Sequence, residues 1–342
     1  MKAWMRCVQA ALLCAGLGLL ASCGGGGGGG STDAGGGGST TSTGGETPVP
    51  SGGSSADTHQ LFVSDRNHSK IAMLASANPP AGTTLATQGM LDVPGMVDTL
   101  AYDSGRNVLY AVTFTSVTSS SVVVYADASK LANGATPSRT ITLPADVLLP
   151  QGVVVDAAHD TVYVAVSRQY DRQVLVYANA STASGAAPVA RTMTFSGAIN
   201  SFDIDFQRNL MYVVSSGYGV LVFKDVNTAN GTITPSGSLL AGVMTSAVTI
   251  DAQRDRLYAA DVFAGVHIVG GASLASPTNA GTIAIPYARV IAVDSANDRL
   301  YVGAYETAYL LQSASTLSAS SSAPAAAVNA GTGSSIGGFA FR

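Results

Sequence analysis

The sequence predicts an all-β fold: a six-bladed β-propeller of four-stranded antiparallel blades, closed by pairing of its N- and C-terminal strands. Three observations predict it. First, an aspartate recurs as Asp103, Asp156, Asp205, Asp251 and Asp294, at intervals of 53, 49, 46 and 43 residues. Second, two partners keep fixed offsets from it. Asn107, Asp160, Asn209, Asp255 and Asp298 follow four residues later, and Tyr110, Tyr163, Tyr212, Tyr258 and Tyr301 seven residues later. Third, the two ends of the repeating region carry complementary fragments of one unit. A period of 40–50 residues built from short strands is the size of one propeller blade.

Residues 1–22 read as a leader outside the fold. Lys2 and Arg6 precede the apolar run 8–20, which is too short for a confident membrane span and ends in Leu20-Ala21-Ser22-Cys23. Residues 23–58 read as a tether. Glycine, serine and threonine dominate, and nothing there can build a core. Flexible-chain scaling gives 24–58 an r.m.s. reach of roughly 30 Å.

The propeller is expected over 59–342, with blades at about 59–93 plus 336–342, 97–145, 150–196, 199–242, 245–285 and 288–330. Before each repeated aspartate, large apolar residues alternate with small ones, as in Val248, Thr249 and Ile250. A period of two marks a strand with two distinct faces. The aspartate can bond the backbone ahead of it and close a turn. The Asn or Asp four residues on can do the same or take a positive φ. Leu-Tyr-Val or a variant then opens the second strand with good strand formers.

Third strands are expected at 122–125, 174–177, 220–223, 266–269 and 308–311. Shorter fourth strands follow, as at 139–143 and Arg191–Phe195. The first unit starts directly at Leu61-Phe62-Val63, where the others have their second strand. The last, Ile336–Phe341, supplies a first strand and nothing after it. Joined, the two fragments make one blade and hide the last open strand edges.

Composition limits function. Only 11% of residues are charged and 46% are hydrophobic; the formal net charge is −4 and becomes −6 if Lys2 and Arg6 leave with the leader. No basic run remains to neutralise phosphates, so nucleic-acid binding is not expected. All three cysteines (Cys7, Cys14 and Cys23) precede the propeller, so it has no disulfide and no thiol chemistry.

Candidate site residues come from one face. In a propeller, the loops into first strands and the loops between second and third strands lie together around the mouth of the central channel. Counting five back from each turn aspartate gives Asp98, Gln151, Asn200, Ser246 and Arg289, with Gly337 in the closing blade. This ring reads either as a ligand site or as a solvated mouth in which Asp98 pairs with Arg289 and holds blades together. Asp203 stands where the other blades carry Ala101, Val154, Thr249, Ala292 and Ala340. A buried acid needs a partner. Asp203 can bond a neighbouring loop, or face the channel beside Asn200 and Ser201 and hold a cation or a ligand hydroxyl. The second-to-third strand loops add Asp65, Arg66, Asn67 and His68, then Arg168, Tyr170, Asp171 and Arg172, then Tyr218, Asp261, Phe263, Tyr305 and Glu306. The four histidines fall at unrelated places in the repeat. No nucleophile elbow, zinc-binding His pair or phosphate loop is present, so no cofactor, resident metal or catalytic residue is predicted.

Two resemblances add to this. The box Leu20-Ala21-Ser22-Cys23 with its flanks resembles the bacterial lipoprotein signal; an ordinary secretory signal is the alternative. The resemblance implies cleavage before Cys23, acylation there, and anchoring in the cell envelope. Gly24 in place of Asp implies the outer membrane, on its periplasmic side or at the cell surface. Several acyl chains anchor stably where one does not. The block Asp-x-x-x-(Asn/Asp)-x-Leu-Tyr-Val, over about 60–342, resembles the blades of NHL and YVTN-type bacterial propellers. Some six-bladed relatives are metal-dependent lactonases, and Asp98, Asn200 and Asp203 could mimic part of their ligand set, without the channel glutamate. The expected function is therefore a lipid-anchored binding module for a protein or small-molecule ligand. A lactonase-like hydrolase and a structural envelope protein are the alternatives.

Overall fold

The computed structural model describes residues 60–75, 85–116, 119–321, 326–329 and 334–342. The leader, Cys23 and the tether lie outside the described residues. Residues 53–342 fall in a single compact unit.

Six sheets stand in a ring. The first holds β1 (Gln60–Asp65), β2 (Lys70–Ala75) and β3 (Thr87–Asp92). The second holds β4 (Met96–Asp103), β5 (Val108–Ser116), β6 (Ser119–Tyr125) and β7 (Arg139–Thr142). The third holds β8 (Leu149–Asp156), β9 (Thr161–Ser167), β10 (Arg172–Ala178) and β11 (Arg191–Phe195). The fourth holds β12 (Ser201–Asp205), β13 (Leu210–Ser215), β14 (Gly219–Lys224) and, after the short β15 (Gly231–Thr232), β16 (Gly237–Leu239). The fifth runs from β17 (Thr245–Asp251) through β18 (Arg256–Asp261) and β19 (Gly265–Gly270) to β20 (Thr278–Ile283). The sixth runs from β21 (Val290–Asp294) through β22 (Arg299–Ala304) and β23 (Thr307–Gln312) to β24 (Ala326–Asn329).

The ring closes as the split repeat predicts. β25 (Ile336–Phe341) pairs antiparallel with β1, Leu61 opposite Phe341 and Val63 opposite Phe339. It is the inner strand of the first sheet. The inner strands then pack side by side in the circle β25, β4, β8, β12, β17, β21 and back to β25. Gly337 and Gly338 permit the close approach. A Cβ on Gly337 would lie 2.6 Å from the Asp98 carbonyl oxygen, and one on Gly338 3.0 Å from the Thr99 Cα.

One apolar cluster fills each of the six junctions between neighbouring sheets. Five of them contain a repeated tyrosine, with Tyr110, Tyr212, Tyr258 and Tyr301 fully buried and Tyr163 nearly so, and the sixth has Phe62 in that place. Burying a ring of this size contributes roughly 2–3 kcal/mol. At the seam, Tyr301 packs on Phe339 and Phe341 with centroids 5.9 and 5.5 Å away.

The turns explain the fixed spacing. Each repeated aspartate is buried, and its carboxylate accepts from the backbone N–H three residues on, as Asp103 does from Arg106 and Asp205 from Arg208, both at 2.9 Å. The residue four on takes the left-handed conformation in all five repeats, with φ between 49° and 59°. Asn and Asp tolerate that region better than most residues. Its side chain then accepts the N–H of the turn beyond the third strand, as Asp298 does from Ser315 at 2.7 Å.

Two features depart from a plain stack of four-stranded units. Arg208 reaches forward to the Ala252 carbonyl at 2.6 Å and Arg254 to the Ser295 carbonyl at 3.0 Å, tying one turn to the next. The loops between third and fourth strands reach backward to the preceding sheet. Ala135 accepts from Asp92, Gly185 donates to Thr140, and β15 pairs parallel with β11, giving the third sheet a fifth strand. These contacts hang on loop lengths that differ between repeats, so the period alone does not show them.

Candidate functional site: the channel mouth

Asp98, Gln151, Asn200, Ser246, Arg289 and Gly337 all line one cavity of about 340 Å³, together with Asp203, Arg66 and Tyr305. The spacing argument therefore brings six residues from six blades to one place. Their chemistry comes from how each is held.

The expected Asp98–Arg289 pair is not formed. Asp98 is only 15% exposed and takes the Arg66 guanidinium at 2.9 Å instead. Arg66 sits in the loop after β1, whose backbone is fixed by the bond from Arg66 N–H to the Ser335 carbonyl at 2.9 Å. Gly337, with no side chain, leaves the space that the Arg66 stem fills. Burial pushes the Asp98 carboxyl up to about 6, against the pull of Arg66. Arg289 turns to Tyr305, its guanidinium 5.2 Å from the ring centroid. It forms no ion pair among the described residues and is exposed.

Three uncharged members are partly engaged. Gln151 donates its amide N–H to Ser167 Oγ at 3.2 Å, and Asn200 donates to Ser216 Oγ at 2.9 Å. The amide carbonyls of both have no protein donor among the described residues. Ser246 Oγ donates toward the Ala260 and Ala288 carbonyls, 3.1 Å from each.

Asp203 makes the first of its two expected choices, though the partner is a strand. Its Oδ2 accepts from Ile250 N–H at 2.9 Å and Thr249 Oγ at 3.0 Å on the next inner strand, and Oδ1 from Ile204 N–H at 2.8 Å. Ser201 and Thr249 act alike, taking Val248 N–H and Val293 N–H at 3.3 Å. Inner strands have a backbone edge with no sheet neighbour, and these side chains satisfy it from the preceding blade. Burial raises the Asp203 carboxyl to about 6, although the three hydrogen bonds pull it down.

These residues do not fit the metal set that a lactonase resemblance implies. Both Asp203 oxygens face N–H or O–H donors, Asp98 is paired with Arg66, and no glutamate lines the cavity.

Of the rim, the repeat places Tyr170, Tyr218, Phe263 and Tyr305 in loops of this face and misses the first-strand entries. Among the described residues, the exposed large apolar ones are Met96, Leu148, Leu149, Tyr170, Tyr218, Met244, Phe263, Tyr287, Tyr305 and Leu274. All but Leu274 stand on first-strand entries or second-to-third strand loops, which form the face around the cavity. Tyr170 is 87% and Phe263 78% exposed. Tyr287 and Tyr305 meet with centroids 5.4 Å apart and planes tilted at 56°, and both adopt positive φ, at 64° and 54°. Such a backbone is an outlier for bulky residues.

Phe263 is held from below. Asp261 accepts from Phe263 N–H at 2.7 Å and Ala264 N–H at 3.1 Å, and meets His267 Nε2 at 3.2 Å. The other ring nitrogen of His267 meets Thr282 Oγ at 2.9 Å. Burial alone would raise the Asp261 carboxyl, but these bonds hold it below the usual carboxylate range. The order Thr–His–Asp follows that of an acyl-transfer triad, yet none of the three lines the cavity, and their bonds fix the loop. Asp65 does the same in the first blade, accepting from Asn67 N–H at 3.1 Å and meeting His68 Nδ1 at 2.7 Å. Asp65 and Asp261 both close a second strand and are among the loop candidates; the other four blades lack this aspartate, so its loop-fixing role has no repeat to mark it.

No family model matches this sequence, and no curated protein matches it. A chain in the crystal structure of a nidogen/laminin complex shares the fold with a TM-score of 0.59 and 13% identity, over 83% of this chain and 98% of that one. At that identity the likeness shows the fold alone.

Proposed function

We propose that the channel-mouth face is the docking surface of a non-catalytic interaction module that takes a protein partner. One observation carries this reading: among the described residues, nine of the ten exposed large apolar side chains stand on that one face. Large exposed apolar patches rimmed by polar groups mark interaction sites, and Tyr, Phe and Met are enriched in their cores. The aromatics come from several blades and ring the cavity, which suits a broad partner better than a single small ligand. The backbone of Phe263 is held by Asp261 and the Tyr287 and Tyr305 rings pack on each other before binding, which lowers the ordering entropy that opposes docking. Arg289 offers an unpaired guanidinium to an acidic group of the partner. The nidogen/laminin complex, which contains a chain of this fold, is an assembly between proteins.

In this reading the protein is a bacterial envelope lipoprotein, anchored through Cys23 to the outer membrane, with a propeller of the NHL and YVTN type. The lipoprotein-like box before Cys23 and the repeated Asp-x-x-x-(Asn/Asp)-x-Leu-Tyr-Val block support it.

The test is affinity capture from envelope extract with the full chain. Phe263→Ser and Tyr287→Ser should each lose a partner that the wild type and Leu274→Ser retain. Partners shared equally by all four proteins would refute use of this face.

A further inference from the structure

A second cavity, of about 280 Å³, lies at the junction of the third and fourth sheets. Its wall is Phe195 from β11, Val213 and Ser215 from β13, and Leu221 and Phe223 from β14. Phe195 and Phe223 meet edge to face, with centroids 5.0 Å apart and planes at 81°. Ile233 and Pro235 cover it from the segment that leaves β15 for β16. That segment is where the chain reaches back to β11 before completing its own blade, so the roof is a crossing loop and not a strand. No charged residue lines the space.

One polar group is built into this wall without a use. Ser215 is 2% exposed, and its Oγ has no hydrogen-bond partner among the described residues. Buried hydroxyls are nearly always bonded, and an unbonded one is a standing cost to the fold. Its neighbour Ser216 is engaged by Asn200 at 2.9 Å, whereas Ser215 Oγ is not. Gly197 keeps the approach to this hydroxyl open, since a Cβ there would sit 3.1 Å from it. Tyr218 stands at the cavity edge, 64% exposed, between Gly217 at φ +80° and Gly219 at φ +73°. The Ser215 carbonyl holds Tyr218 N–H at 3.0 Å, so the exposed ring covers an occupant by rotating about its side-chain torsions.

We propose that this cavity binds a small uncharged molecule with a flat apolar body and one oxygen that bonds to Ser215 Oγ. Ligand sites are mostly apolar with a few fixed polar groups, and this volume is at the small end of their range. A single substituted ring of the phenol kind matches the aromatic walls, the lack of charge and the one buried, unbonded hydroxyl. The site is separate from the channel mouth and shares only Tyr218 with its rim.

Calorimetric titration of the full chain with 4-methylphenol and with toluene tests this. Wild type should bind 4-methylphenol saturably at one site, and toluene more weakly. Ser215→Ala should weaken 4-methylphenol by roughly three- to tenfold, the usual range for one hydrogen bond, and leave toluene unchanged. Ala198→Phe, which fills the cavity, should abolish binding of both; Leu221→Phe serves if that variant does not fold. Phe263→Ser on the rim should bind both as wild type does. The proposal is overturned by no saturable binding to wild type, by equal affinity for the two probes, or by binding that survives filling. A crystal soaked in 4-methylphenol that shows only an ordered water on Ser215 overturns it as well.

Discussion

Replacing Phe339 with alanine probes the ring closure on which the channel mouth depends. Phe339 is 5% exposed, packs on Tyr301, and shares a cluster with Leu61, Val63, Leu74 and Ile336 from both ends of the repeating region. Phe→Ala in such a setting costs about 3–5 kcal/mol, the transfer term plus the cavity left behind. An unfolding entropy of about 2.1 cal/mol/K per residue over roughly 280 residues gives ~0.6 kcal/mol/K. The melting temperature should therefore fall by roughly 5–8 °C. Deleting 336–342 removes Phe339, Ile336 and the whole ladder on β1, and should cost ~6 kcal/mol or more. Phe263→Ala is the control, since a ring 78% exposed should matter by less than about 0.5 kcal/mol. Thermal melts followed by circular dichroism read all three. A Phe339→Ala shift within about 1 °C of the control, or an unchanged melt after deletion, would show that β25 does not seal the ring.

Other outcomes follow from single contacts. Asp203 has its folded pKa raised from 3.8 to about 6, so between those values the folded state holds a proton that the unfolded state has released. Its contribution is thus best below pH 4 and is lost as pH rises to 6, by at most ~3 kcal/mol. Subtracting the Asp203→Asn stability profile from that of wild type should isolate this fall; a flat difference between pH 4 and 6.5 would refute the shifted carboxyl. Asp298→Ala and Asp298→Gly both lose the bonds to Ser315, but only alanine strains the left-handed backbone at φ 55°. Alanine should therefore be the less stable by about 1 kcal/mol in urea unfolding, and equal midpoints would deny the conformational argument. Gly219→Ala would set a Cβ 2.2 Å from the Leu240 carbonyl and should cost more than about 2 kcal/mol or prevent folding, judged by soluble yield and melting.

The parts of this molecule legible in its sequence are those fixed by local backbone geometry. Asp103, Asn107 and Tyr110 must keep their spacing because a buried acceptor, a left-handed residue and a core ring belong to one turn and one strand. The same reasoning locates the ring from Asp98 to Arg289, because counting along a strand keeps register. Choice of partner lies outside that logic. Asp98 takes Arg66 and not Arg289 because the loop after β1 is pinned by Ser335, from the far end of the repeating region. The aromatic rim stood in irregular loops, with no common offset to mark it. Ser215 looks like any strand-end serine until Phe195, Gly197 and Ile233 are placed around it.

The seam at β1 and β25 carries a consequence for assembly. In the other five sheets the first three strands follow one another along the chain, but this one waits for a segment some 270 residues downstream of Asp65. Until that segment arrives, Leu61-Phe62-Val63 presents bare amide and carbonyl groups to any passing strand. The tail of a second molecule offers the same sequence and the same register as its own. Crowding during refolding should therefore yield intertwined pairs in which each ring is finished by its neighbour, and dilution should favour rings that finish themselves.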